Sequence, residues 1–413
     1  MKKILLIFIF FPMILLSQEE KQIEEIRSKS LKIFIDCNRC DNDYIRREIQ
    51  FVNYVRIQQD ADVYILVTQQ STASNGFEFV FYFIGQNKFE GVNDTLNLTS
   101  NLNETTDDLR QNMVQIIKLG LIKYVSKTEI SKFISININL PERKEEIEDK
   151  WNQWYFKISS DIYTSGEKMF SSLNIWSNIS ASKINNDWKY KFSLSNSYSN
   201  SHYKLDDTTT IISETQSYSF YNLIVKSIDE HWSFGEEIYL NSSSYSNYKL
   251  TASFIPAIEF NIFPFSESSR REFRFFYGIG IKQNYYIDTT IYLKTQELLF
   301  LQSLKMGFQK IEQWGSASFY VYWSNYLSNF KLNNLSLNSY ISWRIFGGLS
   351  FNMNGGISFI HDQINLRKST ASSEEILTRQ RQLESQYSYW LSGGISYSFG
   401  SIYNNIVNPR FDL

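Results

Sequence analysis

The chain has 413 residues, and its 41 Lys and Arg nearly balance 43 Asp and Glu, for a formal net charge of -2. That balance argues against a chain built to coat nucleic acid or anionic lipid, so no nucleic-acid partner is expected. Only 3 His and 2 Cys leave little for a multi-metal or redox enzyme, whereas 16% aromatics suit half-buried strands.

The first segment, MKKILLIFIFFPMILLS (1–17), joins a basic pair to an apolar stretch. The stretch is shorter than the roughly 20 residues a spanning helix needs, so it reads as a secretory signal peptide. A polar start, QEEKQIEE, follows it.

Residues 18–140 alternate strand and helix patterns and predict an exported α/β domain. LKIFID (31–36), ADVYILVTQ (61–69) and GFEFVFYFI (76–84) read as strands; in the last, Phe77, Phe79, Phe81 and Phe83 share one face at period two. A helix is expected over 44–50. A second, capped by Thr105 or Thr106 and running to about Val125, carries the stripe Leu109, Met113, Ile116, Ile117, Gly120 and Tyr124. CNRC (37–40) at the end of the first strand admits three chemistries: a structural disulfide between Cys37 and Cys40, a redox dithiol, or half a zinc site. Zinc lacks further ligands, since no His precedes His202, and an oxidising compartment favours the local disulfide. No metal or cofactor is expected. PERKEEIEDK (141–150) has no apolar face and reads as a charged linker.

From 151 to 402 the texture becomes Ser, Asn, Tyr, Phe and Trp in alternation, with a tail at 403–413. Phe273, Phe275, Tyr277, Ile279 and Ile281 alternate with Arg274, Gly278, Gly280 and Lys282; similar series fill 335–346, 349–359 and 387–399. Long segments with one apolar face and a Ser/Asn/Gly face are the pattern of an all-β antiparallel transmembrane β-barrel. About twelve strands are expected. They start near Trp154, Phe170, Trp188, Thr209, His231, Leu250, Glu272, Leu293, Gly315, Leu335, Gly348 and Ser385. Short connections (185–187, 227–230, 310–313, 346–348) alternate with longer ones (199–208, 242–249, 325–334, 362–384), as periplasmic turns alternate with outer loops. One inner turn, 263–271, is longer than that rule wants.

Alternation puts Lys157, Asp161, Lys189, Lys191, Glu237, Glu259, Arg274, Lys282, Lys305 and Arg344 on the polar face. They would line a water-filled path or fill a closed lumen as paired charges. Trp154, Trp188, Trp232, Trp314 and Tyr387 near strand ends fit interfacial girdles better than sugar-binding platforms on outer loops. His202, His231 and His361 are far apart, and no catalytic constellation is expected.

IDCNRCDNDYIRREIQFVNYVR (35–56), ADVYILVTQQ (61–70), NIFPFSESSRREFRFFYGIG (261–280) and NIVNPRF (405–411) resemble Bacteroidota outer-membrane β-barrel proteins with an N-terminal periplasmic α/β domain. The family has no assigned activity. The resemblance therefore implies location in the outer membrane of a Gram-negative bacterium and architecture, and carries over no functional residue. Taken together, the expectation is a non-enzymatic barrel whose periplasmic domain docks a partner, such as a periplasmic protein or peptidoglycan, or gates the lumen. The alternatives are a pore for a small solute and, less favoured, an outer-membrane hydrolase. Lipid and the outer-membrane assembly machinery are the implied surroundings. Outer-membrane barrels often end on an aromatic residue; here Phe399 closes the last strand pattern and a tail follows.

Overall fold

The computed structural model describes residues 29–72, 76–100, 104–136, 149–206, 208–405 and 407. The segment read as a leader, most of the charged linker and the last residues of the chain lie outside these.

The first unit is a five-stranded mixed sheet in the order β2-β1-β3-β4-β5. Its strands are β1 (Lys32–Asp36), β2 (Asn53–Tyr54), β3 (Val63–Ser71), β4 (Phe77–Gly85) and β5 (Asn93–Ser100). β1 runs parallel to both β2 and β3, while β3, β4 and β5 are antiparallel neighbours. The short helix α1 (Asn42–Glu48) joins β1 to β2, and α2 (Thr106–Val125) follows β5. Thr105 caps α2: its hydroxyl accepts from the Asp108 N–H, and the Asp108 carboxylate accepts from the Thr105 N–H, satisfying two orphan donors reciprocally. The Phe79, Phe81 and Phe83 rings are buried against Met113, Val114, Ile117, Leu121 and Tyr124 of α2. Tyr124 donates its hydroxyl to the Phe83 and Val92 carbonyls, at 3.1 and 2.7 Å. Burial raises its pKa to about 12, so the donor persists across physiological pH.

Gly120 is where helix and sheet come closest. A Cβ there would sit 2.1 Å from Cζ of Phe83. Gly120→Ala is therefore expected to destabilise this unit by about 1–3 kcal/mol despite alanine's better helix propensity. Thermal unfolding followed by amide exchange in β4 checks this, and an unchanged or raised midpoint contradicts it.

The second unit is one antiparallel sheet of twelve strands, each beside its sequence neighbours. They are β6 (Tyr155–Gly166), β7 (Phe170–Ile184), β8 (Trp188–Lys204), β9 (Thr210–Ser227), β10 (Trp232–Ser243), β11 (Tyr248–Asn261), β12 (Arg271–Tyr286), β13 (Gln296–Glu312), β14 (Gly315–Tyr326), β15 (Asn329–Phe346), β16 (Leu349–Ile360) and β17 (Tyr387–Tyr397). Among the described residues β6 and β17 each pair on one side only, so they form the two edges of the sheet. No described helix is long and apolar enough to cross a membrane, which leaves crossing by strands open.

The register keeps the two faces distinct across the sheet. One row runs Ile158, Ile179, Leu194, Phe220, Leu240 over β6 to β10, each residue directly opposite the next. Two positions would be needed to cross to the same face again, so the next row on the opposite face runs Ser159, Asn178, Ser195, Ser219, Asn241, Thr251, Asn284 over β6 to β12. A slip of one residue anywhere would exchange the rows, which is why the alternation fixes the pairing.

The twelve strands match the expected number, and most start within two residues of the expected place. Three expectations need correction. The eighth strand starts at Gln296 rather than near Leu293, which is in the preceding loop with a φ of 60°. The tenth starts at Asn329 rather than Leu335, so the long connection expected over 325–334 is a tight turn. Strand β8 continues to Lys204, which puts His202 in a strand opposite Ser171 and Ile212 rather than in a loop. In the last two cases Asn, Ser and Lys make a strand end look like loop, because a projecting strand end needs no apolar face.

The turns between β7 and β8, β9 and β10, β11 and β12, β13 and β14, and β15 and β16 lie at one end of the sheet, here the near end. Five of the nine Trp cluster there: Trp154, Trp188, Trp232, Trp314 and Trp343. Trp188 stacks on Tyr190 and Trp232 packs on Phe260, with ring centres 5.5 and 4.6 Å apart.

Candidate functional site

The near end of the sheet meets the first unit. Arg344, two residues before the end of β15, lies on the polar face by register but does not line the sheet's interior as expected. Its guanidinium leaves the end of the strand and makes a two-pronged pair with Asp36, the last residue of β1: Nη1 to Oδ2 at 2.6 Å and Nη2 to Oδ1 at 2.7 Å. The Tyr64 hydroxyl donates to the same Asp36 Oδ2 at 2.5 Å. Burial, and then the Asp36 carboxylate, push the Tyr64 pKa well above its ordinary value, so Tyr64 stays a donor. The Gln313 carbonyl accepts a further bond from Arg344 Nη1 at 3.3 Å, and the Phe34 ring lies 5.8 Å from the guanidinium carbon. A bidentate, charge-assisted pair of this kind fixes orientation as well as distance. Cys37 and Cys40 are bonded in a disulfide directly after Asp36, closing the turn that carries the carboxylate out of β1.

Two further contacts line the same boundary. In the β11–β12 turn, Ser269 Oγ is 3.5 Å from the Tyr82 hydroxyl and Arg270 lies over the Tyr82 ring. Beyond β17 the chain turns back onto the free edge of β2. Tyr403 bridges Val55, the Ile402 carbonyl accepts from Arg56 N–H, and Asn404 N–H donates to the Tyr54 carbonyl. Asn405 accepts from Tyr54 N–H at 2.7 Å and donates to Asn53 Oδ1 at 3.0 Å. The tail thus pairs with the first unit's sheet at a single antiparallel bridge.

Inside the concave polar face, a cavity of about 700 Å³ opens between β8 and β15. Five of the expected charges line it: Lys189, Glu237, Glu259, Arg274 and Lys305. Lys305 Nζ is 2.9 Å from both Glu237 carboxylate oxygens and lies over the Phe276 ring, and Arg274 Nη2 donates to Glu272 at 2.9 Å. With Asp229 and Glu230 at its rim and Glu272 beside Arg274, the side chains on the cavity face number three basic and five acidic. Such a wall favours cations over anions. The other expected charges are dispersed. Lys157 and Asp161 are on the edge strand β6, Lys191 is on β8, and Lys282 is near the far end with its ammonium 5.4 Å from the Tyr248 ring centre and 6.0 Å from that of Tyr326.

The far end is covered by the connection between β16 and β17, residues 361–386, which runs back across the strand ends. Ile364 is buried against Leu299, Leu301 and Tyr326 of the polar face. Asn365 donates to the Ser246 carbonyl and to Gln382, Arg367 pairs with Asp288 and donates to the Ser244 carbonyl, and Thr290 bridges Arg367. A one-turn helix, α3 (Ser373–Leu377), capped by Ser372, lies within the segment.

The three His are not brought together. His231 Nδ1 is 2.7 Å from the Asn261 carbonyl, and the backbone N–H of His361 donates to the Asn333 carbonyl. Among the described residues no group of three or more His, Cys, Asp or Glu side chains is placed to hold a metal. In comparison with known proteins, no family model matches the chain and no curated protein aligns with it. Sequence reasoning missed Asp36, Tyr64 and Glu272 as members of these sites. Only the position of Asp36 directly before CNRC hinted at it.

Proposed function

We propose that the chain is an outer-membrane β-barrel, closed by pairing β6 with β17, whose periplasmic α/β domain is latched under the lumen and gates it. Several features support the membrane reading. The strand number is even, and the up-and-down order sends β6 away from the near end and β17 toward it, so the two edges meet antiparallel. Closure pairs the free N–H and C=O groups of both, which hydrocarbon requires. The apolar face then contacts lipid, and the near-end Trp cluster sits at the interface. The export signal read in 1–17 and the resemblance to Bacteroidota outer-membrane proteins point the same way.

The observation that carries the gating role is the Arg344–Asp36 pair. A domain that only recruits a distant partner needs no two-pronged ion pair to the barrel rim, whereas one that controls access must hold a fixed position there. The reading is non-enzymatic. In planar bilayers the intact chain is expected to be silent or to conduct rarely, because 361–386 covers one end and the domain the other. Deleting residues 18–140 is expected to raise channel activity at least about tenfold, with cations preferred over anions as the acidic lining dictates. Equal conductance with and without the domain would remove the gate, and anion preference would remove the acidic cavity from the pathway.

A further inference from the structure

A second cavity lies on the polar face over β6 to β9, away from the charged one. Its volume is about 320 Å³. Asp161, Trp176, Ser197 and Ser217 stand directly opposite one another across four strands, and Asn178 and Ser195 stand in the next row on the same face. Trp176 is the aromatic that lines this cavity. Its neighbours on β8 and β9, such as Leu194 and Phe220, pack on the apolar face, whereas its indole stands among hydroxyls and amides. The residue is 45% exposed and, among the described residues, makes no ring contact and no hydrogen bond. Asp161 likewise has no ion-pair partner among the described residues.

We infer that this patch is a binding subsite for a neutral saccharide, with Trp176 as the stacking platform and Asp161 as the hydroxyl acceptor. The chemistry of the lining decides the class. A sugar ring presents a C–H face and a hydroxyl edge; the C–H face suits the electron-rich indole face. The hydroxyls need convergent acceptors and donors, which Asp161, Asn178, Ser195, Ser197 and Ser217 supply. Asn178 is already oriented by its amide, which donates to Ser193 Oγ at 2.7 Å and Ser195 Oγ at 2.8 Å. No Lys, Arg or His is among the described residues lining the cavity, so an anion finds no counter-charge. A single indole is too little apolar surface for a hydrophobic ligand. Four strands span three inter-strand spacings, roughly 14 Å, enough for a disaccharide. The subsite goes beyond the gating role and stands whether or not β6 and β17 pair.

The test is calorimetric titration of the detergent-solubilised full chain with maltose, cellobiose, lactose and diacetylchitobiose, beside choline, spermidine and glucuronate. At least one neutral disaccharide is expected to bind saturably. Trp176→Ala and Asp161→Asn are each expected to weaken it at least about tenfold, and Trp176→Phe less, with heat-modifiable gel migration confirming folded variants. Failure of all four sugars to bind, binding that survives Trp176→Ala, or tighter binding of choline or spermidine would each overturn the assignment. Equal conductance with and without residues 18–140 alongside sugar binding would count against the gate alone and leave the subsite standing.

Discussion

Arg344→Ala is expected to release the α/β unit from the near end of the twelve-stranded sheet. The substitution removes two charge-assisted bonds and leaves the Asp36 carboxylate, whose side chain is 17% exposed, facing Tyr64 alone. Hydrogen bonds to charged groups contribute about 1.5–3 kcal/mol each. Because the Arg344 side chain is 30% exposed and water replaces part of what is lost, a net weakening of about 2–3 kcal/mol is expected, roughly 30- to 150-fold in the docking equilibrium. A protease site inserted at position 141 makes this measurable. After cleavage the wild-type domain should co-purify with the twelve-stranded sheet, while the Arg344→Ala domain should separate. Asp36→Asn should behave alike, and the double variant should lose little more than either single one, since both act on one interaction. Additive losses, or retention equal to wild type, would show that the pair does not hold the domain.

The second large effect distinguishes a lipid-facing surface from a water-facing one. Leu194 stands mid-strand in the apolar row between Ile179 and Phe220, half exposed in the isolated chain. In water, Leu194→Lys would be close to neutral. In a bilayer a lysine at that depth costs about 2–4 kcal/mol. The variant is therefore expected to fold poorly into vesicles and to unfold at lower urea, whereas Ser219→Lys, one row away on the opposite face, should be tolerated. Equal behaviour of the two variants would contradict the membrane assignment.

Much of the architecture was legible because alternation over ten or more residues is hard to produce by accident. Phe273 to Ile281 announced both the strand and its apolar face, and the register across twelve strands follows from repeating that pattern. The α/β unit was less complete. In NDTLNLTS only Leu96 and Leu98 face the core, and the rest is turn chemistry, so β5 escaped notice. The stripe expected on α2 holds Leu109, Met113, Ile116, Ile117, Gly120 and Tyr124 but leaves out Val114 and Leu121, which are buried beside them, because the buried face is wider than a single i, i+3/i+4 line.

The sites were harder to see for a different reason. Alternation gives the face of Arg344 but not its partner, which is 308 residues earlier in the chain. Parity likewise assigned Lys305 and Glu237 to the same face without showing that 68 positions of sequence separate a direct ion pair. Trp176 was passed over because aromatics were sought where they pack, on the apolar face and at strand ends. The spacing of Cys37 and Cys40 was legible; that the turn they close delivers Asp36 to the rim was not.

The bridge and hydrogen bonds that the tail makes beside β2 tie together segments far apart in the sequence. Tyr54 and Asn405, joined by a hydrogen bond, are separated by 351 residues. The entropy of closing so long a loop grows only slowly with its length, but a contact of that order forms late, after β17 has brought 402–405 within reach. Until then the β2 edge is an open acceptor of any extended segment, the hazard that unpaired edges carry. Capture of the tail therefore retires that edge only once the twelfth strand is in place, so a chain that stalls part-way keeps a sticky edge exposed. Proteolytic surveillance of incomplete molecules would find its mark there.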